Sequence, residues 1–290
     1  METQIELKNY GFTYRGAKTK ALDDVSFSVY KGEFLSIIGP TGAGKTTICR
    51  GIVGLTPSIF DGKPEGEIFI KGKPMSEYPL EQLTSVVGYV HQDAEGQILM
   101  TKVEKEIIFP LENMAVPVEE IHDRLEKVLK LVHLEEYRDR HPFYLTGGQR
   151  QRVVLATALA MNPDVLIFDE AVSEIDPLGA EEIMTVAHEL NSLGKTIIFI
   201  EHNMEEIARF ADRIIVLDEG KKLAEGKTED ILTNEEIIQK LHVYPPQVTQ
   251  LFVALKKRGY SFDHIPIKLE EAEEMLAQLL KSKSSQENEG

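Results

Sequence analysis

Phe34-Leu35-Ser36-Ile37-Ile38-Gly39-Pro40-Thr41-Gly42-Ala43-Gly44-Lys45-Thr46 is the stretch that decides the fold. Its mostly apolar first part, residues 34–38, predicts a buried strand that stops at Gly39-Pro40. The residues that follow Gly44, up to Val53, predict a helix. Between them, residues 39–46 match the phosphate-binding pattern G-x-x-x-x-G-K-[ST], in the strand-to-helix context that this pattern requires.

The turn has the chemistry of a nucleotide phosphate site. Glycines allow successive backbone N–H groups to point at phosphate oxygens, and the helix N-terminus adds a partial positive charge. In this pattern Lys45 reaches the outer phosphates and the Thr46 hydroxyl binds Mg²⁺. The predicted nucleotide contacts are therefore Gly39, Pro40, Thr41, Gly42, Ala43, Gly44, Lys45, Thr46 and Thr47.

Further along the chain, polar side chains follow apolar runs. The runs 165–168 and 196–200 are continuous and apolar, which is typical of parallel strands buried on both faces, and a helix-length segment separates them. Asp169-Glu170 follows the first run and His202 follows the second, so we expect all three at one sheet edge. Asp169 is the predicted metal ligand, and Glu170 is predicted to polarise an attacking water.

Two more segments are candidates for the site. Gln92 directly follows a predicted strand, residues 87–91, and its amide could contact Mg²⁺ or the attacking water, although a loop glutamine is more often inert. Thr146-Gly147-Gly148-Gln149 precedes a predicted helix, with Thr146 as its N-cap. This segment is either a plain helix start or a second phosphate-binding helix N-terminus. The second alternative suggests a head-to-tail dimer.

Composition narrows the class of protein. The 290 residues carry 32 Lys and Arg against 48 Asp and Glu, for a net charge of −16, and 42% of them are hydrophobic. This is a globular composition, and the acidity argues against nucleic acid as the main partner. The charge is uneven, because residues 1–60 carry 7 basic and 5 acidic side chains and residues 61–218 carry 15 and 30. The lone Cys49, the lack of a secretion signal at the start and the lack of a membrane-length apolar run predict a cytosolic chain.

The chain divides near Leu241. We expect one domain over residues 1–241, with a helical subdomain at about 93–160. Helical spacing of apolar residues returns beyond Tyr244-Pro245-Pro246, which predicts a small extension over 242–280. The polar tail 281–290 is predicted to be disordered.

Together these motifs resemble the nucleotide-binding subunit of an ABC transporter, in the order of that family over about residues 1–235. Tyr14 resembles the aromatic residue that stacks on adenine, Gln92 the Q-loop glutamine, and residues 145–149 the LSGGQ signature. Residues 39–46 resemble Walker A, Asp169-Glu170 the end of Walker B, Asp176 the D-loop aspartate and His202 the switch histidine. The resemblance implies an α/β P-loop NTPase of ABC type. Its mostly parallel core sheet is joined by an antiparallel β subdomain, an α-helical subdomain and a small C-terminal helical extension.

The same resemblance implies a mechanism. Two subunits would close head-to-tail over two ATP molecules with Mg²⁺, Thr146 to Gln149 and Asp176 coming from the opposite chain. Glu170 would polarise water, His202 would hold the γ-phosphate and Gln92 would sense it. Thr146, Ala171-Val172, Ile175 and Glu201 depart from the usual residues, but none removes a catalytic group, so we expect a competent ATPase.

Within the family, the chain looks most like the ATPases of energy-coupling-factor (ECF) importers of vitamins or metal ions. Residues 92–106, 158–164 and 246–280 carry this narrower resemblance. It implies a second ATPase subunit, identical or related, which the extension helps to hold. It also implies an integral membrane coupling subunit, a separate substrate-binding membrane subunit and a position on the cytoplasmic face of the cell membrane. Another ABC importer class, or a soluble ABC ATPase acting on DNA or ribosomes, stays an alternative, whereas a GTPase or kinase would not explain residues 145–149.

Overall fold

The structure is a computed structural model that describes residues 2–173, 175–241 and 243–287. Its strands form two sheets. In chain order they are β1 Thr3–Tyr14, β2 Leu22–Tyr30, β3 Phe34–Ile38, β4 Gly62–Ile70, β5 Lys73–Pro74, β6 Val87–His91, β7 Val165–Asp169, β8 Thr196–Ile200, β9 Arg213–Asp218 and β10 Lys221–Lys227. The strands predicted at residues 34–38, 87–91, 165–168 and 196–200 are confirmed within one residue.

The larger sheet has the strand order β10-β9-β3-β8-β7-β6, and the smaller one has the order β2-β1-β4-β5. In the larger sheet β9, β3, β8, β7 and β6 are parallel, and β10 alone runs antiparallel. The smaller sheet is antiparallel throughout. This mixture of a parallel core sheet with an antiparallel β subdomain confirms the predicted fold class.

The helices surround the larger sheet and continue past it. They are α1 Lys45–Ile52, α2 Leu55–Ser58, α3 Leu80–Val86, α4 Ala94–Gln97, α5 Val103–Asn113, α6 Val118–Leu131, α7 Gly147–Ala160, α8 Pro177–Ser192, α9 Met204–Phe210, α10 Thr228–Leu232, α11 Glu235–Leu241, α12 Gln247–Lys257 and α13 Leu269–Glu287. Helix α7 begins at Gly147, within the segment predicted to precede it. None of the helices in the described residues is long and apolar enough to cross a bilayer.

Two hydrophobic cores lie on opposite faces of the larger sheet. In β3, Phe34 and Ile38 join the core shared with helices α5 to α9, whereas Leu35 and Ile37 join the core shared with α1 and the smaller sheet. Because side chains alternate along a strand, a strand covered on both faces needs apolar residues at nearly every position. This double burial explains the continuous apolar runs and fixes α1 against the sheet.

The C-terminal extension packs through α12. Phe252 is fully buried with its ring centroid 4.7 Å from that of Phe262, and the Thr249 hydroxyl donates to the Pro266 carbonyl at 2.8 Å. The first residue of α12 also touches the main domain, since the Gln247 N–H donates to Glu205 Oε1 of α9 at 2.7 Å.

The tail for which the sequence predicts disorder, residues 281–290, begins within a helix. Helix α13 continues to Glu287, and residues 288–290 lie outside the described part of the chain. Lys, Gln and Glu in this segment have good helix propensity, and adding residues to an existing helix avoids the cost of a new nucleus. Polarity alone therefore did not end the helix.

Candidate nucleotide-binding site

The polar residues that follow β3, β6, β7 and β8 lie at one edge of the larger sheet. These strands are parallel, with His91 in register with Asp169 and Asp169 in register with Ile200, so their carboxyl ends meet there. The glycine-rich turn 39–44 follows β3 at this edge, which is where α/β sheets place ligands. Gln92 follows β6, Glu170 follows the last residue of β7 and His202 comes two residues after β8.

The glycine-rich turn is shaped by the backbone of Gly44, which has φ +101°. A Cβ built there would lie 2.6 Å from Leu22 Cδ2 and 2.7 Å from the Ala21 carbonyl oxygen, so the position requires glycine. Helix α1 starts directly after it, with its free N–H groups directed toward the turn.

Lys45 holds its positive charge inside this turn. Its side chain is almost fully buried, and Nζ donates to the carbonyl oxygens of Gly39 at 2.9 Å and Pro40 at 3.2 Å. Burial lowers the pKa of Lys45, while the negative charges of Glu170 and Asp169 act in the opposite direction. A phosphate entering the turn would therefore meet a cation that the fold has already placed.

Thr46 and Asp169 place two side-chain oxygens that could bind a metal ion next to Lys45. The Thr46 hydroxyl donates to Asp169 Oδ1 at 3.1 Å, and the Tyr89 hydroxyl donates to Asp169 Oδ2 at 2.7 Å. Burial raises the pKa of Asp169, and the hydrogen bond from Tyr89 opposes this most strongly. Burial also raises the pKa of Tyr89 well above its usual range, so its hydroxyl stays a proton donor.

These donors suit Mg²⁺, which prefers oxygen ligands and is usually held by one or two carboxylates together with substrate phosphates. Thr46 and Asp169 would hold the ion, and the nucleotide would complete its shell. Over the described ranges, no group of three or more His, Cys, Asp or Glu side chains could hold a metal.

Glu170 and His202 meet at the same edge. His202 Nε2 lies 3.0 Å from Glu170 Oε1, and Lys45 Nζ lies 3.8 Å from that same oxygen. Glu170 has a left-handed backbone, with φ +54°. Its N–H donates to the Ile200 carbonyl at 3.0 Å, and the Ser173 hydroxyl donates to the Glu170 carbonyl at 2.8 Å. The strand ends thus hold this carboxylate between a cation and an imidazole.

Tyr14 and Thr47 lie beside one another at the start of α1. The Tyr14 hydroxyl and Thr47 Oγ1 are 3.1 Å apart, and Arg50 Nη1 donates to the Tyr14 hydroxyl at 3.3 Å. The structure therefore brings the aromatic residue predicted to stack on adenine to the helix that carries Lys45 and Thr46.

Residues Thr146 to Gln149 form a second cluster. Thr146 caps α7, and a reciprocal pair of hydrogen bonds joins it to Gln149. Asp176 caps α8 through the Gly179 N–H, and a Cβ built on Gly148 would lie 3.3 Å from Gly179 Cα. Within the ranges that the structure describes, no hydrogen bond or ion pair connects the segment 146–149 to the glycine-rich turn and Lys45-Thr46. One chain thus presents two separate clusters.

A cavity of about 570 Å³ lies between α1, the end of β6 and the helical layer. We call it the subdomain groove, and its lining includes Arg50, Tyr89, His91, Gln97 and Glu106. The sequence interpretation missed Tyr89, although alternation along β6 places it on the α1 face of the sheet, the face that holds Ile167 of β7. That alternation is the signal that could have found it.

Comparisons with known proteins point to a single family. The profile of the ABC transporter family matches residues 22–173. A putative ABC transporter ATP-binding protein of Pyrococcus abyssi is 41% identical over 256 residues, which cover 88% of this chain and 91% of the relative. The energy-coupling factor transporter ATP-binding protein EcfA of Methanocaldococcus jannaschii is 35% identical over 265 residues, 91% of each chain.

Solved structures from the same family are similar to this chain. CbiO1 of Clostridium perfringens, described as part of the ABC transporter complex CbiONQ, superposes with a TM-score of 0.73 at 27% identity over 88% of this chain and 100% of its own. A dimeric ATP-binding cassette bound to ADP and Pi superposes with a TM-score of 0.67 at 33% identity, over 77% of this chain and 98% of its own. With its glycine-rich turn, paired carboxylates and capped signature segment, the chain belongs to the ATP-binding proteins of the ABC transporter family.

Proposed function

We propose that this chain binds ATP with Mg²⁺ at residues 39–46 and hydrolyses it, and that hydrolysis drives an ECF-type importer. The observation that carries the proposal is the convergence on Glu170 Oε1, which lies 3.0 Å from His202 Nε2 and 3.8 Å from Lys45 Nζ. Beside it, Thr46 Oγ1 and Asp169 Oδ1, the oxygens proposed to bind the metal, lie 3.1 Å apart. The side chains proposed as base, phosphate-binding cation and metal ligands all lie at this one edge of the sheet.

Each side chain has a role that its position supports. The Glu170 carboxylate polarises the attacking water and accepts its proton, as a general base does. Lys45 neutralises charge on the outer phosphates, His202 donates to the γ-phosphate and Gln92 senses it. Thr46 and Asp169 would hold Mg²⁺, which would stabilise negative charge on the phosphate oxygens. Tyr14 stacks on the adenine.

The second cluster belongs to the neighbouring site in a head-to-tail dimer. The N-terminus of α7 offers backbone N–H groups and a partial positive charge, which suit the γ-phosphate bound by another chain. Thr146 to Gln149 and Asp176 gain this contact only while γ-phosphate is present, so ATP favours the closed dimer by differential affinity. The similar cassette bound to ADP and Pi is itself dimeric, which supports the pairing of two chains.

The similarity to EcfA and CbiO1 supports the importer assignment. The partners would be a second ATPase subunit, identical or related, an integral membrane coupling subunit and a substrate-binding membrane subunit, with this chain on the cytoplasmic face of the membrane. We assign the subdomain groove to the coupling subunit, because it lies between the sheet that holds the site and the helical layer. The predicted extension, residues 242–280, would help to hold the two ATPase subunits together.

Hydrolysis is tested by Glu170→Gln, which removes the base and keeps the size of the side chain. ATP binding should persist while turnover falls by at least about 100-fold, the usual contribution of a general base. Glu189→Gln, an exposed glutamate on α8, is the matched control and should hydrolyse ATP at the wild-type rate. Undiminished turnover of Glu170→Gln would remove Glu170 from its role.

The transport assignment needs a different measurement. A tagged copy of the chain should be recovered from its native cells in detergent and its neighbours identified by mass spectrometry. Integral membrane proteins in stoichiometric amounts support the importer. Recovery with ribosomes or DNA instead would reject it in favour of a soluble ABC ATPase.

A further inference from the structure

We propose that Tyr89 is a positioning residue that orients the Asp169 carboxylate toward the metal. The inference rests on the metal site of the proposed function and adds a residue that the motifs do not include. Its starting point is the 2.7 Å hydrogen bond from the Tyr89 hydroxyl to Asp169 Oδ2.

The sheet places these two residues within reach of one another. β6 and β7 are parallel, with Tyr89 in register with Ile167 and His91 in register with Asp169. Side chains two residues apart on a strand share a face, so Tyr89, Ile167 and Asp169 all lie on the α1 side. Diagonal neighbours on one face are separated by about 7–8 Å, a gap that an aromatic side chain can span. The phenol thus runs forward along the sheet to the end of β7.

The two carboxylate oxygens of Asp169 accept hydrogen bonds from different partners. Oδ2 accepts from Tyr89, whereas Oδ1 accepts from Thr46, the other predicted metal ligand. A carboxyl group rotates easily about its last torsion, because that torsion has a broad energy profile. A fixed phenol on one oxygen limits this rotation and leaves the other oxygen aimed at Thr46. Asp169 is 1% exposed, so water cannot replace the phenol at little cost.

Supporting groups behind metal ligands have measurable effects, since their loss typically weakens metal affinity or activity by about 10- to 100-fold. Tyr89 fits this description because it touches a ligand and not the phosphates. The Tyr89 ring also forms part of the wall of the subdomain groove, so the same side chain contacts both the groove and the metal ligand.

The test is Tyr89→Phe, which removes one hydroxyl and keeps the ring. Tyr78→Phe is the matched control, because the Tyr78 hydroxyl is also part-buried and donates to a carbonyl, that of Ile70 at 3.0 Å, away from the site. Mn²⁺ binding to each protein in the presence of ADP would be followed by electron paramagnetic resonance. We expect about a tenfold loss of Mn²⁺ affinity in Tyr89→Phe and none in Tyr78→Phe, with ADP affinity in EDTA unchanged in both.

A double-mutant cycle separates positioning from a general loss of stability. In the Asp169→Asn background, Tyr89→Phe should cause no further loss of Mn²⁺ affinity, because the group it orients has changed. Affinity within twofold of wild type for Tyr89→Phe, or an equal loss in both backgrounds, would overturn the inference. Failure of the wild-type protein to bind Mn²⁺ with ADP would instead reject the proposed nucleotide and metal site itself.

Discussion

Lys45 Nζ lies 3.8 Å from Glu170 Oε1 and at the same time donates to the carbonyl oxygens of Gly39 and Pro40. The cation is therefore held by the turn that follows β3 and by a carboxylate that follows β7. In the proposed function, phosphate oxygens would replace these carbonyl oxygens as partners of Lys45. Lys45 would then link nucleotide binding to the proposed base.

Lys45→Ala should weaken ATP binding by at least about tenfold, because hydrogen bonds to a charged group are worth about 1.5–3 kcal/mol each. Isothermal titration with ATP and Mg²⁺ measures this, and the ATP-dependent rise in melting temperature should also become smaller. Lys130→Ala, at an exposed lysine on α6, is the control and should bind like wild type. Equal affinities for the two variants would show that Lys45 does not contact the phosphates.

The head-to-tail arrangement predicts complementation between two inactive variants. Lys45→Ala disables the phosphate turn, and Gly147→Glu places a carboxylate at the N-terminus of α7, where a negative charge suits the helix but repels phosphate. Mixed in equal amounts, the two proteins should form some dimers with one intact composite site, so that hydrolysis recovers. If each chain completed its own site, the mixture would stay inactive.

The extension predicts a contact between subunits. Leu251 on α12 is 44% exposed and Leu269 at the start of α13 is 67% exposed. Changing both to Glu should leave the melting temperature of the chain almost unchanged and weaken dimerisation, measured by sedimentation of the Glu170→Gln protein. Leu193→Glu, at an even more exposed leucine of the main domain, should dimerise normally. Loss of dimer in the control as well would point to a general effect of the added charge.

Glu206 on α9 predicts a pH dependence of stability. Burial raises the pKa of this glutamate above its usual 4.5, and the nearby Arg209 opposes the shift. The unfolded chain therefore loses this proton at a lower pH than the folded chain, and stability is lost as pH rises through the raised pKa. Glu206→Gln removes this titration. The melting temperature of the variant minus that of the wild type should therefore increase between pH 4 and pH 7. A melting-temperature difference that stays constant over this pH range would contradict the raised pKa of Glu206.

Much of the site could be predicted because its residues depend on local sequence. The turn 39–46 needs glycine and a following helix, and residues 165–170 and 196–202 combine a doubly buried strand with polar residues at its end. These patterns are complete within a few residues of chain. The parallel sheet then brings Glu170 and His202 to one edge without any further information.

Other features depend on pairing between distant segments and left little local signal. The first half of β4 is polar and exposed, and it becomes a strand because it pairs with β1, with Gly62 opposite Tyr14. The bond from Tyr89 to Asp169 depends on the register of β6 with β7. The contact of Gln247 with Glu205 joins residues 42 positions apart, and neither residue type is distinctive.

The left-handed backbone of Glu170 has a consequence for how this protein can be improved. A non-glycine residue in that conformation costs about 1–2 kcal/mol, so this position favours glycine on conformational grounds alone. A screen for thermal tolerance would therefore favour Glu170→Gly, a change that would also remove the proposed base. At residue 170, thermal stability favours glycine, whereas the proposed hydrolysis of ATP requires glutamate.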